Sequence, residues 1–152
     1  MFTTGYFILA SEAFMHNVRA ICEDTYWIGA SDRRLSLFEN TYHIPNGMAY
    51  NSYLILDEKT CLLDGVDDVV AGQFSENLEY MLGDRELNYM VIDHMEPDHC
   101  AEIPWLVKKY PTVKLVGTAK TFDLIRQFHN FDPTPYAIVV TEGDTLELGK
   151  HI

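Results

Sequence analysis

Tyr89-Met90-Val91-Ile92-Asp93-His94-Met95-Glu96-Pro97-Asp98-His99 is the stretch on which the reading of the whole chain turns. Its first four residues form an apolar run of the length of a short buried strand. The six that close it offer four potential metal ligands, His94, Glu96, Asp98 and His99, all imidazole nitrogen or carboxylate oxygen. A donor set without thiolate suits iron, manganese or zinc better than copper(I) or an iron–sulfur cluster. Residues two apart on an extended chain share a side, so His94, Glu96 and Asp98 converge on one pocket. His99 points elsewhere unless the chain turns into a helix. Ligand sites in α/β folds gather where strands end, which favours a metal loop here. The plainer alternative is a polar strand-to-helix turn in which Asp98 caps the next helix.

Upstream, 25–30 reads as a strand, 31–47 as a long loop, 50–56 and 60–64 as a hairpin joined at 57–59. Val70, Phe74, Leu78 and Met81 recur at helical spacing, predicting an amphipathic helix from 67 to 82 that stops at Gly83. Downstream of the loop come a helix over 101–110, with Pro104 in its first turn, and a strand over 113–117. A helix capped by Thr118 or Thr121 then runs to His129, before a last strand over 136–140 and a turn at 142–144. Strand pairs followed by alternating strands and helices predict a mixed α/β (α+β) fold with helices covering a sheet.

The 152 residues allow one domain with a real core, and 47% apolar content excludes a disordered chain. A formal charge of −12, from 11 Lys and Arg against 23 Asp and Glu, argues against nucleic acid as a partner. Cys22, Cys61 and Cys100 are an odd, widely spaced set that fits a reducing cytosol rather than a disulfide framework. Cys100 reads as a small buried residue in the first turn of a helix, with a redox-sensitive thiol as the alternative. The first ten residues lack the basic start of a secretory signal, and no run is long enough to span a membrane. A cytoplasmic protein is expected. Residues 1–20 match no clear period and read as an extension ahead of a domain over 21–152.

Tyr26-Trp27-Ile28-Gly29-Ala30, Asp32, Phe38, Gly47, Tyr50-Asn51-Ser52-Tyr53-Leu54-Ile55, the loop His94-x-Glu96-x-Asp98-His99 and the segment at 142–149 together resemble the N-terminal domain of flavodiiron proteins. These are also called A-type flavoproteins or rubredoxin:oxygen oxidoreductases. The resemblance runs from about residue 20 to the end of the chain. It implies a metallo-β-lactamase-like αββα sandwich of which this chain holds the N-terminal half. Zinc hydrolases of the same superfold usually carry His where this chain has Glu96, and a carboxylate there favours higher-charge states of a redox metal.

The resemblance implies that His94 and Glu96 bind one iron of a non-haem diiron site, while Asp98 and His99 face the other. It further implies reduction of O2 to water or of NO to nitrous oxide. Electrons would come from FMN on a C-terminal domain absent from this chain, fed by a rubredoxin-like or flavin donor, in a head-to-tail homodimer. The remaining ligands are expected beyond Ile152, so the chain by itself is not expected to turn over. Where the family often has His-Gly after the phenylalanine matched by Phe38, this chain has Glu39 and Asn40, with Tyr42 and His43 nearby. His43 is read as a solvated loop histidine, and neither His129 nor His151 as a ligand. Two alternatives stand beside this reading: a metal-dependent hydrolase of the superfold, using metal-bound hydroxide, and a non-enzymatic metal-binding module.

Overall fold

Leu54, Leu62, Met90 and Leu115 lie side by side across four neighbouring strands, and each is fully buried. This row anchors the sheet in the computed structural model, which describes residues 16–38 and 40–152. Full burial of each such side chain stabilises by roughly 1.5–3 kcal/mol. The seven-stranded sheet has the order β1 (Arg19–Cys22), β2 (Thr25–Trp27), β7 (Tyr53–Leu56), β8 (Thr60–Leu63), β9 (Tyr89–Val91), β10 (Lys114–Gly117), β11 (Ala137–Val139). Pairing is antiparallel from β1 to β8 and parallel from β8 to β11. Two small hairpins complete it: β3 (Ala30–Asp32) with β6 (Met48–Tyr50), and β4 (Leu37–Phe38) with β5 (Tyr42–His43).

The helices deliver their apolar faces to the same core. After a single 3-10 turn, Asp68–Val70, capped by the Asp67 carboxylate, α1 (Ala71–Leu82) contributes Phe74, Leu78 and Leu82. It stops at Gly83, where φ is +54°. A separate single turn, α2 (Pro97–Cys100), precedes the helix expected over 101–110, which forms as α3 (Ile103–Lys109), and Pro104 offers no amide donor to link the two. Helix α4 (Ala119–His129) starts where expected, with the Thr118 hydroxyl accepting from the Thr121 amide.

Three expectations need correction. The strands expected over 25–30 and 50–56 are each broken, at 28–29 and at 51–52, because the chain there crosses from the large sheet to the β3–β6 hairpin. The loop over 31–47 contains β4 and β5, joined through Asn40 in the left-handed region. Arg19, inside the segment read as an extension, already begins β1, and His16 stacks on Tyr80 with ring centroids 4.1 Å apart. Residues 1–15 lie outside the described residues.

The C-terminal segment is strapped to the β7–β8 turn. Buried Asp57 accepts from the His151 amide at 2.8 Å and faces His151 Nδ1 at 2.7 Å, while the Lys59 amide donates to the Leu148 carbonyl. Gly149 has a φ of +133°, and a Cβ there would stand 2.7 Å from Asp57 Oδ1, so only glycine fits. Burial alone would raise the Asp57 pKa. The side chain and amide of His151, with the amides of Glu58 and Lys150, outweigh that and hold it at about 2, below the usual 3.8. A carboxylate depressed on folding stabilises fully above its unfolded value and loses that contribution as pH falls through the folded one. Protection of the Lys59 and His151 amides, taken relative to intrinsic exchange at each pH, is therefore expected to be full above pH 3.8 and to fall as pH approaches 2. In Asp57→Asn the protection should be low and independent of pH across that window; an unchanged pH dependence in the variant would show that Asp57 is not the clasp.

Candidate metal centre

The C-terminal ends of the parallel strands β8, β9 and β10 lie side by side in the middle of the sheet. Ile92 donates to the Val116 carbonyl at 2.9 Å, Asp64 to that of Val91 at 2.9 Å, and the Asp93 amide to Asp64 Oδ1 at 2.8 Å. From there 93–96 run irregularly to Glu96, which is extended and acts as N-cap residue of α2. Pro97 opens that helix with its fixed φ, and the amides of His99 and Cys100 donate to the Glu96 carbonyl at 2.9 and 3.1 Å. The extended alternation ends at Pro97. Asp98 therefore turns with the helix toward His99 instead of following His94 and Glu96 along a strand.

The four expected ligands form two pairs. His94 Nε2 lies 3.1 Å from Glu96 Oε2, both half-exposed, and His99 Nε2 lies 3.4 Å from Asp98 Oδ2. The imidazoles of His94 and His99 meet edge to face with centroids 5.3 Å apart, which joins the pairs. Among the described residues, no three His, Cys, Asp or Glu side chains are already gathered in a form that could hold a metal ion. Even so, the donors suit a hard or borderline cation. Asp98 Oδ1 and His99 Nδ1 are buried without hydrogen-bond partners, a state that proteins rarely leave uncompensated. On that observation the residues fit a metal in kind, as part of a coordination shell.

Asp64 was missed in the sequence. Its Oδ2 approaches His99 Nδ1 at 3.2 Å, out of line for a hydrogen bond, so the contact is electrostatic. Burial raises the Asp64 pKa, against the lowering effects of the Asp93 amide and His99. Asp64 also has a left-handed φ of +55°, uncommon for a residue with a Cβ, and the Ser52 hydroxyl donates to its carbonyl at 2.8 Å. The available signal was a carboxylate at the C-terminal end of a strand beside the metal loop.

The next residue, Gly65, donates its amide to the His99 carbonyl at 2.8 Å, and a Cβ there would stand 2.9 Å from that same oxygen. Gly65→Ala is expected to push α2 away from β8. It should shift the backbone NMR signals of 94–101 while leaving those of α1 in place, and unmoved loop signals would refute this packing.

Surrounding residues narrow the chemistry. Cys100 is buried, and burial first, then the charges of Asp98 and Asp64, push its thiol up to about 11. It is thus the small packing residue, not a reactive thiolate. Burial, with Asp67, Asp32 and Asp98 nearby, raises the Tyr50 phenol to about 12. His43 is exposed, as its reading as a loop histidine requires, whereas Glu39 lies outside the described residues.

Residues 48–152 match the family model described as ODP family beta lactamase. The anaerobic nitric oxide reductase flavorubredoxin of Escherichia coli O1:K1 / APEC is 34% identical over 126 residues, which are 82% of this chain and 26% of that protein. Among solved structures, rubredoxin oxygen:oxidoreductase from Desulfovibrio gigas superposes with a TM-score of 0.81 at 28% identity, covering 88% of this chain and 33% of the other. The flavodiiron protein from Giardia intestinalis gives 0.78 at 24% identity over 88% and 32%, a likeness of fold alone. The chain spans about a third or less of the length of each of these proteins.

Proposed function

The chain belongs to the flavodiiron protein family, with a metallo-β-lactamase-like mixed α/β fold, and from that premise we propose that it supplies part of a non-haem diiron centre. His94 and Glu96 hold one iron, and Asp98 and His99 face the second. The observation that carries this is the buried Asp98 Oδ1, without a hydrogen-bond partner, beside the His94–Glu96 pair. Residues 21–152 are then the N-terminal portion of a longer diiron domain.

When bound, such irons supply the redox chemistry by which O2 is reduced to water or NO to nitrous oxide, with electrons from FMN. This chain's own residues prepare the place. Glu96 contributes negative charge and a hard oxygen, which favours an oxidisable metal over zinc. Asp64 lies against His99 Nδ1 and so orients the ring, the role that carboxylates play behind metal-bound imidazoles. Gly65 holds the His99 backbone against the end of β8. The neutral Tyr50 phenol adds no further charge beside Asp98. A rubredoxin-like or flavin donor and a head-to-tail homodimer belong to the same proposal. The three free cysteines support a reducing, cytoplasmic setting; among the described residues no helix is long and apolar enough to cross a membrane.

Elemental analysis after anaerobic expression with iron tests the reading, on residues 1–152 and on a protein extended to the length of the relatives. About two irons in the extended protein, with little in the shorter one, is the expected result. Zinc as the main metal would favour a hydrolase, and no metal in either would end the proposal.

A further inference from the structure

Asp64 and Gly65 share one peptide unit, and both of its polar atoms are hydrogen-bonded. The Asp64 carbonyl accepts from the Ser52 hydroxyl at 2.8 Å, and the Gly65 amide donates to the His99 carbonyl at 2.8 Å. Among the described residues no peptide bond is cis, so this C=O and this N–H point in opposite directions. Ser52 stands at one end of a two-bond relay and His99 at the other. Hydrogen bonds linked through one peptide polarise and strengthen each other.

Each member of the relay needs the link. Ser52 is fully buried at the break between β6 and β7, where water cannot serve its hydroxyl. Its own carbonyl accepts from the Ile28 amide at 2.9 Å, at the matching break after β2. A single turn such as α2 cannot satisfy its own C-terminal carbonyls, and the Gly65 amide serves that of His99. Between the two ends, Asp64 is left-handed at φ +55°, a conformation that a residue with a Cβ keeps only where its surroundings hold it. Its carboxylate meets the metal loop. Oδ1 accepts from the Asp93 amide at 2.8 Å, and Oδ2 lies 3.2 Å from His99 Nδ1.

We propose that Ser52 is a positioning residue for the metal-facing histidine: its hydroxyl holds the Asp64–Gly65 peptide, which in turn fixes His99. The hold is double. The Gly65 amide sets the His99 backbone, and the Asp64 carboxylate, aimed by the same left-handed residue, sets the ring. Ser52 itself touches no proposed ligand. It ties the crossing between the two sheets to the turn that carries Asp98 and His99.

The purpose of this link rests on the diiron reading and its geometry does not, so two measurements separate them. Ser52→Ala removes one oxygen, changes the volume little and keeps the carbonyl that Ile28 uses. In the metal-free chain, hydrogen-exchange protection of the Gly65 and Asp93 amides should fall about tenfold, with Ile28 and α1 unchanged. The His99 ring protons, edge to face with His94 at 5.3 Å between centroids, should shift in the NMR spectrum. Unaltered Gly65 protection, unmoved ring signals or a loss spread evenly over the core would overturn the proposal. Gly65→Ala supplies a double-mutant cycle. Because Ser52 acts through that peptide, the two changes together should move the His99 ring signals by clearly less than their sum, and full additivity would overturn the route.

Iron affinity of the extended protein is the second readout. It should fall about tenfold in Ser52→Ala. Unmoved affinity beside weakened Gly65 protection would remove the positioning role. Absence of iron from the wild type would sink the diiron reading and leave the Ser52–His99 link to stand or fall on the exchange data.

Discussion

Glu96→Ala is expected to strip the extended protein of its iron while leaving the fold intact. The Glu96 side chain is 59% exposed, and its recorded contact is with His94, so its truncation removes almost no packing. What builds α2 is the Glu96 backbone carbonyl, which accepts from His99 and Cys100 and survives the substitution. The loss therefore falls on metal binding. It should exceed the ten- to hundredfold typical of outer-shell changes, reaching roughly a hundredfold or more in affinity. Iron per chain after desalting, read beside the thermal midpoint, checks it. Iron content equal to wild type would take Glu96 out of the centre, and a collapsed midpoint would mean the side chain serves the fold instead.

Asn77→Leu should be the most damaging single change in the scaffold. Asn77 is 1% exposed on α1, and its amide group donates to the carbonyls of Ile28 at 3.2 Å, Gly29 at 3.0 Å and Asn17 at 3.3 Å. Its Oδ1 accepts from the Asn17 amide at 3.1 Å. Leucine fills the volume and restores none of these bonds. Each buried group left unpaired costs about 1–3 kcal/mol, so the total should reach about 4 kcal/mol. Urea unfolding reads it directly. A loss under about 1 kcal/mol would mean that water reaches the break between β2 and β3 and repairs it. Because that break lets the chain leave the large sheet for the β3–β6 hairpin, Asn77 matters to topology as well as to stability.

Much of this architecture could be read one segment at a time. Phe74, Leu78 and their neighbours on α1 announce a helix because a 3.6-residue period places them on one face, and that face is the buried one. Thr118 announces the start of α4 because its hydroxyl satisfies an amide that the helix cannot. The hairpin at 57–59 was legible because apolar runs flank a polar turn. The breaks at 28–29 and 51–52 were not. An apolar residue such as Ile28 suits a strand equally well whether the chain continues in one sheet or crosses to another.

The candidate centre divides along the same line. The sequence by itself supplied the proposed donor set, His94, Glu96, Asp98 and His99, because ligand chemistry belongs to residue type and close spacing. It also determined that the loop follows a buried strand, through the apolar run before it. Only the tertiary structure decided that Asp98 turns with α2 toward His99 and that Asp64, from another strand, reaches His99 Nδ1. The physical reason is that these contacts depend on how strands and helices stack, and stacking is set by the burial of the whole core, which no local pattern contains.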